Sequence, residues 1–241
     1  MAFAAQLLPD SVKRRIRDAF GLFGVEVIAR RSNQWLRDAR IQTVIDVGAN
    51  RGQFARTARA LFPSSRIYSF EPLADCCEEI QRSFKGDPGF QAFNLAIGEA
   101  ESSLTMYRNR FDASSSMLPV SETMAKDFPF VKSSAEVTVK VSRLDDACRE
   151  LTLEPKLLVK IDVQGYEDRV IAGAHEVLGR TSVLIVEVSF EALYTGQPLF
   201  DAVYRQLLGL GFDYHGNWDQ IVSPLDGRVL QADAVFLRRN R

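Results

Sequence analysis

An aspartate at 46, glycines at 48 and 52 with an asparagine at 50 between them, and a glutamate at 71 are the residues of this sequence best spaced to grip a ligand. Val44, Ile45 and Val47 make the run before the turn apolar and β-branched, and a helical pattern starts at Gln53. Such a turn lies where an open parallel sheet forms a pocket, at the carboxyl end of a strand. A dinucleotide fingerprint needs glycine at its first, third and sixth positions. Counted from Gly48, those positions hold Gly48, Asn50 and Gln53, so two of the three fail. No Gly-Lys-Ser/Thr follows, so a P-loop fails too. Asn50 tolerates the left-handed backbone conformation, and the tight turn survives.

The acid at 46 then decides between ligands. It would repel a pyrophosphate, whereas it can hold an ammonium such as the one on the methionyl end of S-adenosylmethionine. Glu71, 23 residues beyond Gly48, falls where an acid accepts the two hydroxyls of a ribose, and the backbone near Ala96 and Ile97 could flank an adenine. A strand-end acid that only caps the next helix is the plainer reading of Asp46 alone; the spaced set points to the nucleoside.

A second cluster, Lys160-Ile161-Asp162-Val163-Gln164-Gly165-Tyr166-Glu167, ends another apolar strand. Lys160 and Asp162 share strand parity, and Glu187 interrupts the apolar run Val183–Val188. A buried carboxylate is costly unless paired or used. Asp162 and Glu187, from neighbouring strands, could hold a substrate hydroxyl, act as general base, or bind a divalent cation. The metal is the less favoured option, because no further ligand cluster is evident. Asp162 is the first choice of base and Glu187 the second. Lys160 could equally be a buried partner for a carboxylate, and Glu167 could merely complement a helix dipole. His175, about ten residues into the expected helix and so roughly 15 Å from its start, is too remote. His215 remains a minor candidate.

Alternating strands and helices must carry these residues. Strands are expected at Val44–Val47, Arg66–Phe70, Phe90–Ile97, Leu157–Asp162, Val183–Val188, Phe212–His215 and Ala234–Arg238, the last two forming a hairpin with an Asp226-Gly227 turn. Helices are expected at Gln53–Leu61, Ala74–Phe84, about Glu167–Leu178 and Leu199–Leu210. Residues 99–145 break the alternation with two strand-like runs around a serine- and proline-bearing loop, expected to be a lid or recognition insertion, with a hairpin remote from ligand as the alternative. Before the sheet, Asp10 or Ser11 can cap an amphipathic helix with apolar positions Val12, Ile16, Ala19, Phe20 and Phe23, and a second helix is expected over 25–38. The domains expected are therefore a helical appendage, 1–40, and a catalytic domain, 41–241.

At 241 residues, 46% hydrophobic and with a net charge of −1, the chain gives no reason to expect a polyanionic partner. Eight basic groups against four acids in residues 1–40 leave two readings, a solvated surface or peripheral contact of residues 1–23 with an anionic membrane. Three cysteines, two of them adjacent, suggest no disulfide framework. No apolar run approaches the roughly 20 residues that span a bilayer, and no secretory leader is recognisable. A cytoplasmic setting is the default, and nothing fixes an oligomeric state.

With these residues assembled, the chain resembles the FkbM family of S-adenosylmethionine-dependent methyltransferases from about residue 41 to 238. The signals are Val44 to Phe54, then Phe70-Glu71-Pro72, Asn94-Leu95-Ala96-Ile97-Gly98, Ser115-Ser116, Arg143-Leu144-Asp145, and Lys160 to Glu167 continuing to Gly173-Ala174. The resemblance implies an α/β fold, a doubly wound Rossmann-like class I methyltransferase sheet of seven strands with the last antiparallel, N-terminal helices and a hairpin or lid insertion after strand three. It implies methyl transfer to a hydroxyl of a sugar, glycan or related metabolite, with a lipid-linked glycan giving the basic N-terminus a use. Cofactor contacts are expected from Asp46, Gly48, Asn50, Gly52, Glu71 and Asp162, with Ala49, Pro72, Asn94 and Ala96 beside them. One departure is Gln164, where the family usually has glutamate. A nicotinamide-dependent reductase lacks its Tyr-x-x-x-Lys pair here, and a nucleic-acid methyltransferase lacks both Asn/Asp-Pro-Pro-aromatic and a basic face; a cofactor-binding protein without catalysis is the remaining alternative.

Overall fold

The computed structural model describes residues 34–109, 112–128, 131 and 134–239. The chain divides into two compact units, Met1–Trp35 and Leu36–Arg241, and the architecture below is that of the second. The amphipathic helix expected over Val12 to Phe23, and most of the one expected over 25–38, lie outside the described residues; α1 (Gln34–Asp38) is the described end of the latter.

Five elements build the first half of the main sheet: β1 (Thr43–Val47), α2 (Gln53–Leu61), β2 (Arg66–Phe70), α3 (Ala74–Ser83) and β3 (Phe90–Phe93). The second half follows an insertion: β7 (Leu157–Ile161), α6 (Glu167–Ala172), α7 (His175–Arg180), β8 (Thr181–Ser189), α8 (Phe200–Gly209), β9 (Phe212–Val222) and β10 (Val229–Arg238). The strand order is β3-β2-β1-β7-β8-β10-β9. β10 runs antiparallel to both its neighbours, and the other pairings are parallel. This is the expected α/β methyltransferase sheet.

All five residues of β1 are buried, as a central parallel strand covered on both faces requires. Alternate residues divide the core. Ile45, Val47, Val159, Ile161, Leu184 and Val186 meet α6, α7 and α8 through Val170, Ile171, Leu178, Val203 and Leu207. Val44, Ile67, Leu158, Ile185 and Val235 meet α2 through Ala55, Ala58 and Leu61. Each fully buried aliphatic side chain contributes about 1.5–3 kcal/mol, so the register that keeps each set on its own face is strongly fixed.

Several expected boundaries change. Phe90–Ile97 is two strands, because the chain leaves the main sheet after Phe93 and β4 (Ala96–Ile97) joins the insertion. There β4, β5 (Ser102–Asn109) and β6 (Ser134–Ser142) make a separate three-stranded sheet, with α4 (Glu122–Asp127) between β5 and β6 and α5 (Leu144–Ala147) leading back. The helix expected from Glu167 to Leu178 breaks at Gly173, whose Cα lies so close to the Gly98 carbonyl that a Cβ would clash at 2.0 Å. His175 therefore opens a second helix. The closing hairpin is longer than expected, since cross-strand pairing carries the ladder to Val222 and Val229. Among the described residues no helix is long and apolar enough to cross a membrane.

Candidate active site

The carboxyl ends of β1, β2 and β7 and the inner side of the insertion enclose a cavity of about 360 Å³. Gly48 and Asn50 shape its floor with positive φ angles of 81° and 48°. At Gly48 the close neighbour is protein: a Cβ there would sit 1.8 Å from the carbonyl oxygen of Asp162. Two turns that each deliver an acid to the cavity thus touch at a point only glycine allows. Asn50 in the left-handed region aims its amide at Glu71, donating to Oε2 at 2.7 Å, while Leu73 N donates to Oε1 at 2.8 Å. Burial pushes the Glu71 carboxyl up to about 7, against the pull of these two amides. Asn94 does not line the cavity; it buttresses the turn, donating from Nδ2 to the carbonyls of Glu71 and Pro72 at 3.1 and 2.8 Å.

Asp46 is 1% exposed, and its Oδ2 has no hydrogen-bond partner among the described residues. Burial raises its pKa to about 7, and Lys160 and the Ala55 amide of α2 oppose that rise. The cap-like contact to α2 is therefore present, yet one oxygen is left over at the cavity wall. Lys160 stands beside it in register, its Nζ 2.6 Å from Asp162 Oδ2, 3.4 Å from Asp233 Oδ1 and 5.7 Å from the centre of the Phe54 ring. Burial works against the Lys160 charge, but Asp162 and Asp233 outweigh it and hold the ammonium firmly protonated.

Asp162 reaches the cavity with both oxygens engaged, Oδ2 by Lys160 and Oδ1 by Gln164 Nε2 at 2.8 Å. Glu187 lies close by, as expected for adjacent strands, but does not line the cavity. Its Oε2 accepts from Gln164 Nε2 at 2.7 Å and from Gln231 Nε2 at 3.0 Å. Burial, then the charges of Asp162 and Glu167, push its pKa well up. Glu167 braces its own turn, accepting from the amides of Val163 and Gly165. His175 and His215 are exposed and away from the cavity; Gly52, buried, also lies outside it and serves as the N-cap of α2.

Of the expected contacts, Asp46, Gly48, Ala49, Asn50, Glu71, Pro72, Ala96 and Asp162 come together around one space, and Gly52, Asn94 and Glu187 stand behind it. The insertion adds Met106, Asp112, Ala113, Ser115 and Met117, so it roofs the cavity. Asp112 is paired to Arg51 at 2.6 Å and to Arg108 at 2.9 Å, and Arg51 also meets Glu79. Sequence reasoning missed Asp219 and Asp233. A signal existed for the second: Asp233 interrupts an apolar strand as Glu187 does. A possible cation-binding trio of Asp75, Cys76 and Asp112 has its acids taken by Arg108 and Arg51.

Among the described residues, six carboxylates and a single ammonium line the space. Such a wall repels phosphate and suits a cationic nucleoside, and the orphaned oxygen of Asp46 marks where a donor is wanted. The residues present fit S-adenosylmethionine: Asp46 for its ammonium, Glu71 for its ribose hydroxyls, and Leu95, Ala96 and Ile97 for apolar contact.

A family model for the methyltransferase FkbM domain matches residues 46–214. The 2-O-methyltransferase NoeI of Sinorhizobium fredii (strain NBRC 101917 / NGR234) is 28% identical over 160 residues, 64% of this chain and 66% of the relative. Methyltransferase sdnD of Sordaria araneosa is 25% identical over 156 residues, 55% of this chain and 60% of the relative. The matches thus span somewhat less than two thirds of each relative. The crystal structure of methyltransferase FkbM from Methylobacillus flagellatus KT shares the fold, with a TM-score of 0.51 at 13% identity, covering 82% of this chain and 44% of that one.

Proposed function

This chain belongs to the FkbM methyltransferase family, and we propose that it transfers the methyl group of S-adenosylmethionine to a hydroxyl oxygen of a sugar or glycan. The observation that carries the reading is the pairing of a buried, half-satisfied Asp46 with a cavity-facing Asp162 across the same crevice. Oxygen as the nucleophile also finds support in the 2-O-methyltransferase among the relatives. When bound, the cofactor supplies an electrophilic methyl carbon whose transfer leaves a neutral thioether.

The protein's own residues have three tasks. Asp46 and Glu71 hold the ammonium and ribose ends and so fix the depth of the nucleoside in the crevice. Alignment of two reactants supplies much of the rate in such a displacement. Asp162 takes the proton that the acceptor hydroxyl loses as the new carbon–oxygen bond forms. Lys160 keeps the Asp162 carboxylate in place and offsets the negative charge around it.

Calorimetry with S-adenosylhomocysteine and with NAD tests the cofactor, and incubation with methyl-tritiated cofactor and a panel of methyl glycosides tests the acceptor. Binding of the first compound, with label moving to a glycoside, is the expected result. Tight NAD uptake and indifference to the sulfur nucleoside would sink the reading. If the glycan is lipid-linked, deleting residues 1–23 lowers turnover on vesicle-borne acceptor and spares a soluble analogue.

A further inference from the structure

Gln164 makes more polar contacts in the site than its neighbours and takes no part in the chemistry so far described. It follows Asp162 by two residues in a turn that gives it a φ of +57°, a conformation that costs a non-glycine residue about 1 kcal/mol or more. Its backbone carbonyl accepts from Ser116 Oγ of the roof at 2.6 Å. Its Nε2 reaches Asp162 Oδ1 at 2.8 Å and Glu187 Oε2 at 2.7 Å, and its Oε1 accepts from the Tyr194 hydroxyl at 2.8 Å. Tyr194 is itself fully buried and also lies 2.9 Å from the Ser114 carbonyl.

The side chain of Gln164 matches these partners: two neighbouring carboxyl oxygens take hydrogens from one short arm, and the tyrosine hydroxyl meets an acceptor beside them. A primary amide offers both. An ionised carboxylate at this position would face two others with no hydrogen to give.

We propose that Gln164 is the positioning residue of the site: its amide orients Asp162 toward the acceptor as the base and withdraws Glu187 from that role, with Ser116 of the roof and Tyr194 of the loop after β8 holding Gln164 in place. The use of the base rests on the methyl-transfer reading; the electrostatic arrangement does not. The charged and titratable groups facing Asp162 are Asp46 from β1, Lys160 from β7, Glu167 from α6, Glu187 from β8, Asp233 from β10 and Tyr194 from the loop after β8. Among them Lys160 is the cation, and it and Gln164 donate the two side-chain hydrogen bonds that fix the Asp162 oxygens.

The test follows the Asp162 carboxyl carbon by ¹³C NMR across a pH titration of the full chain, with the resonance assigned by its loss in Asp162→Asn. Gln164→Met removes the donor and keeps the volume, and should raise the Asp162 midpoint; Gln164→Glu adds a third carboxylate and should raise it further. With any glycoside that accepts label, the acid limb of kcat moves up in the same order while the KM for cofactor stays within about twofold. A side chain that merely packs would leave the Gln164→Met midpoint at the wild-type value, and that result overturns the proposal. Should Gln164→Glu fail to fold, Gln164→Met decides alone. If no acceptor turns over at all, the methyl-transfer reading falls while the titration still decides the role of Gln164.

Discussion

Gly48 and Asp46 show how closely single residues are constrained here. Gly48→Ala would place a methyl group 1.8 Å from the Asp162 carbonyl, in a backbone region that L-residues avoid. The turns must separate, and a loss of about 2–4 kcal/mol is expected from strain and displaced contacts, read as a lowered urea midpoint together with lost cofactor binding. Asp46 and Glu71 both have folded pKa values near 7, above ordinary values of 3.8 and 4.5, chiefly through burial. The folded protein therefore holds more protons than the unfolded chain between those limits. The stability these groups contribute is full below about pH 4 and is lost as pH rises through 7. Asp46→Asn should accordingly raise the melting temperature of the unliganded protein at pH 8 by ~2–4 °C, as about 1 kcal/mol does in a domain of this size. The same change should cost at least tenfold in affinity for S-adenosylmethionine. In the wild type that affinity should fall as pH drops below 7, because the cation needs ionised partners, and calorimetry across pH 5.5–8 checks the slope. Asp162→Asn should lower kcat about a hundredfold or more with the fold intact by circular dichroism. Unchanged turnover would remove Asp162 as the base.

At the scale of elements, the insertion between β4 and β6 has two anchors. Near β1 it is held by the Arg51–Asp112–Arg108–Asp75 ion pairs. At its other end Met124 and Val131 pack with Leu193, Tyr194 and Leu230, and Arg228 meets the buried carboxylate of Asp127 at 3.1 Å. Arg228→Ala strands that carboxylate without its cation. Since the arginine is itself partly exposed, a cost of about 1–3 kcal/mol is expected, read by urea denaturation, with a raised KM for cofactor if the roof loosens. The insertion's strand-like runs were legible as alternating β-branched residues. Its roofing role rests on ion pairs such as Arg51 with Asp112, which join residues 61 positions apart and leave no periodic trace. The break at Gly173 was hidden for a related reason: it packs against the carbonyl of Gly98, just past the distant β4.

Across the whole molecule, charge is sorted by place and not by amount. A chain of net charge −1 gathers, among its described residues, six carboxylates around a single ammonium at one end of its sheet. Lys160 stands between Asp162 and Asp233, where a divalent cation would otherwise be wanted. Turnover should therefore persist within about twofold in excess chelator; abolition by chelator and recovery with magnesium would refute this. The sequence by itself determined the alternating α/β order, the glycine turn, the left-handed asparagine and the acids at 46, 71 and 162, because these follow from local periodicity, backbone sterics and the chemistry of short motifs. Only the tertiary structure decided that Glu187 stands behind an amide, that Asp219 and Asp233 reach the cavity, and that the insertion covers it. Those outcomes depend on which strands become neighbours and on packing between residues far apart in the chain, and neither is written in any short stretch of it.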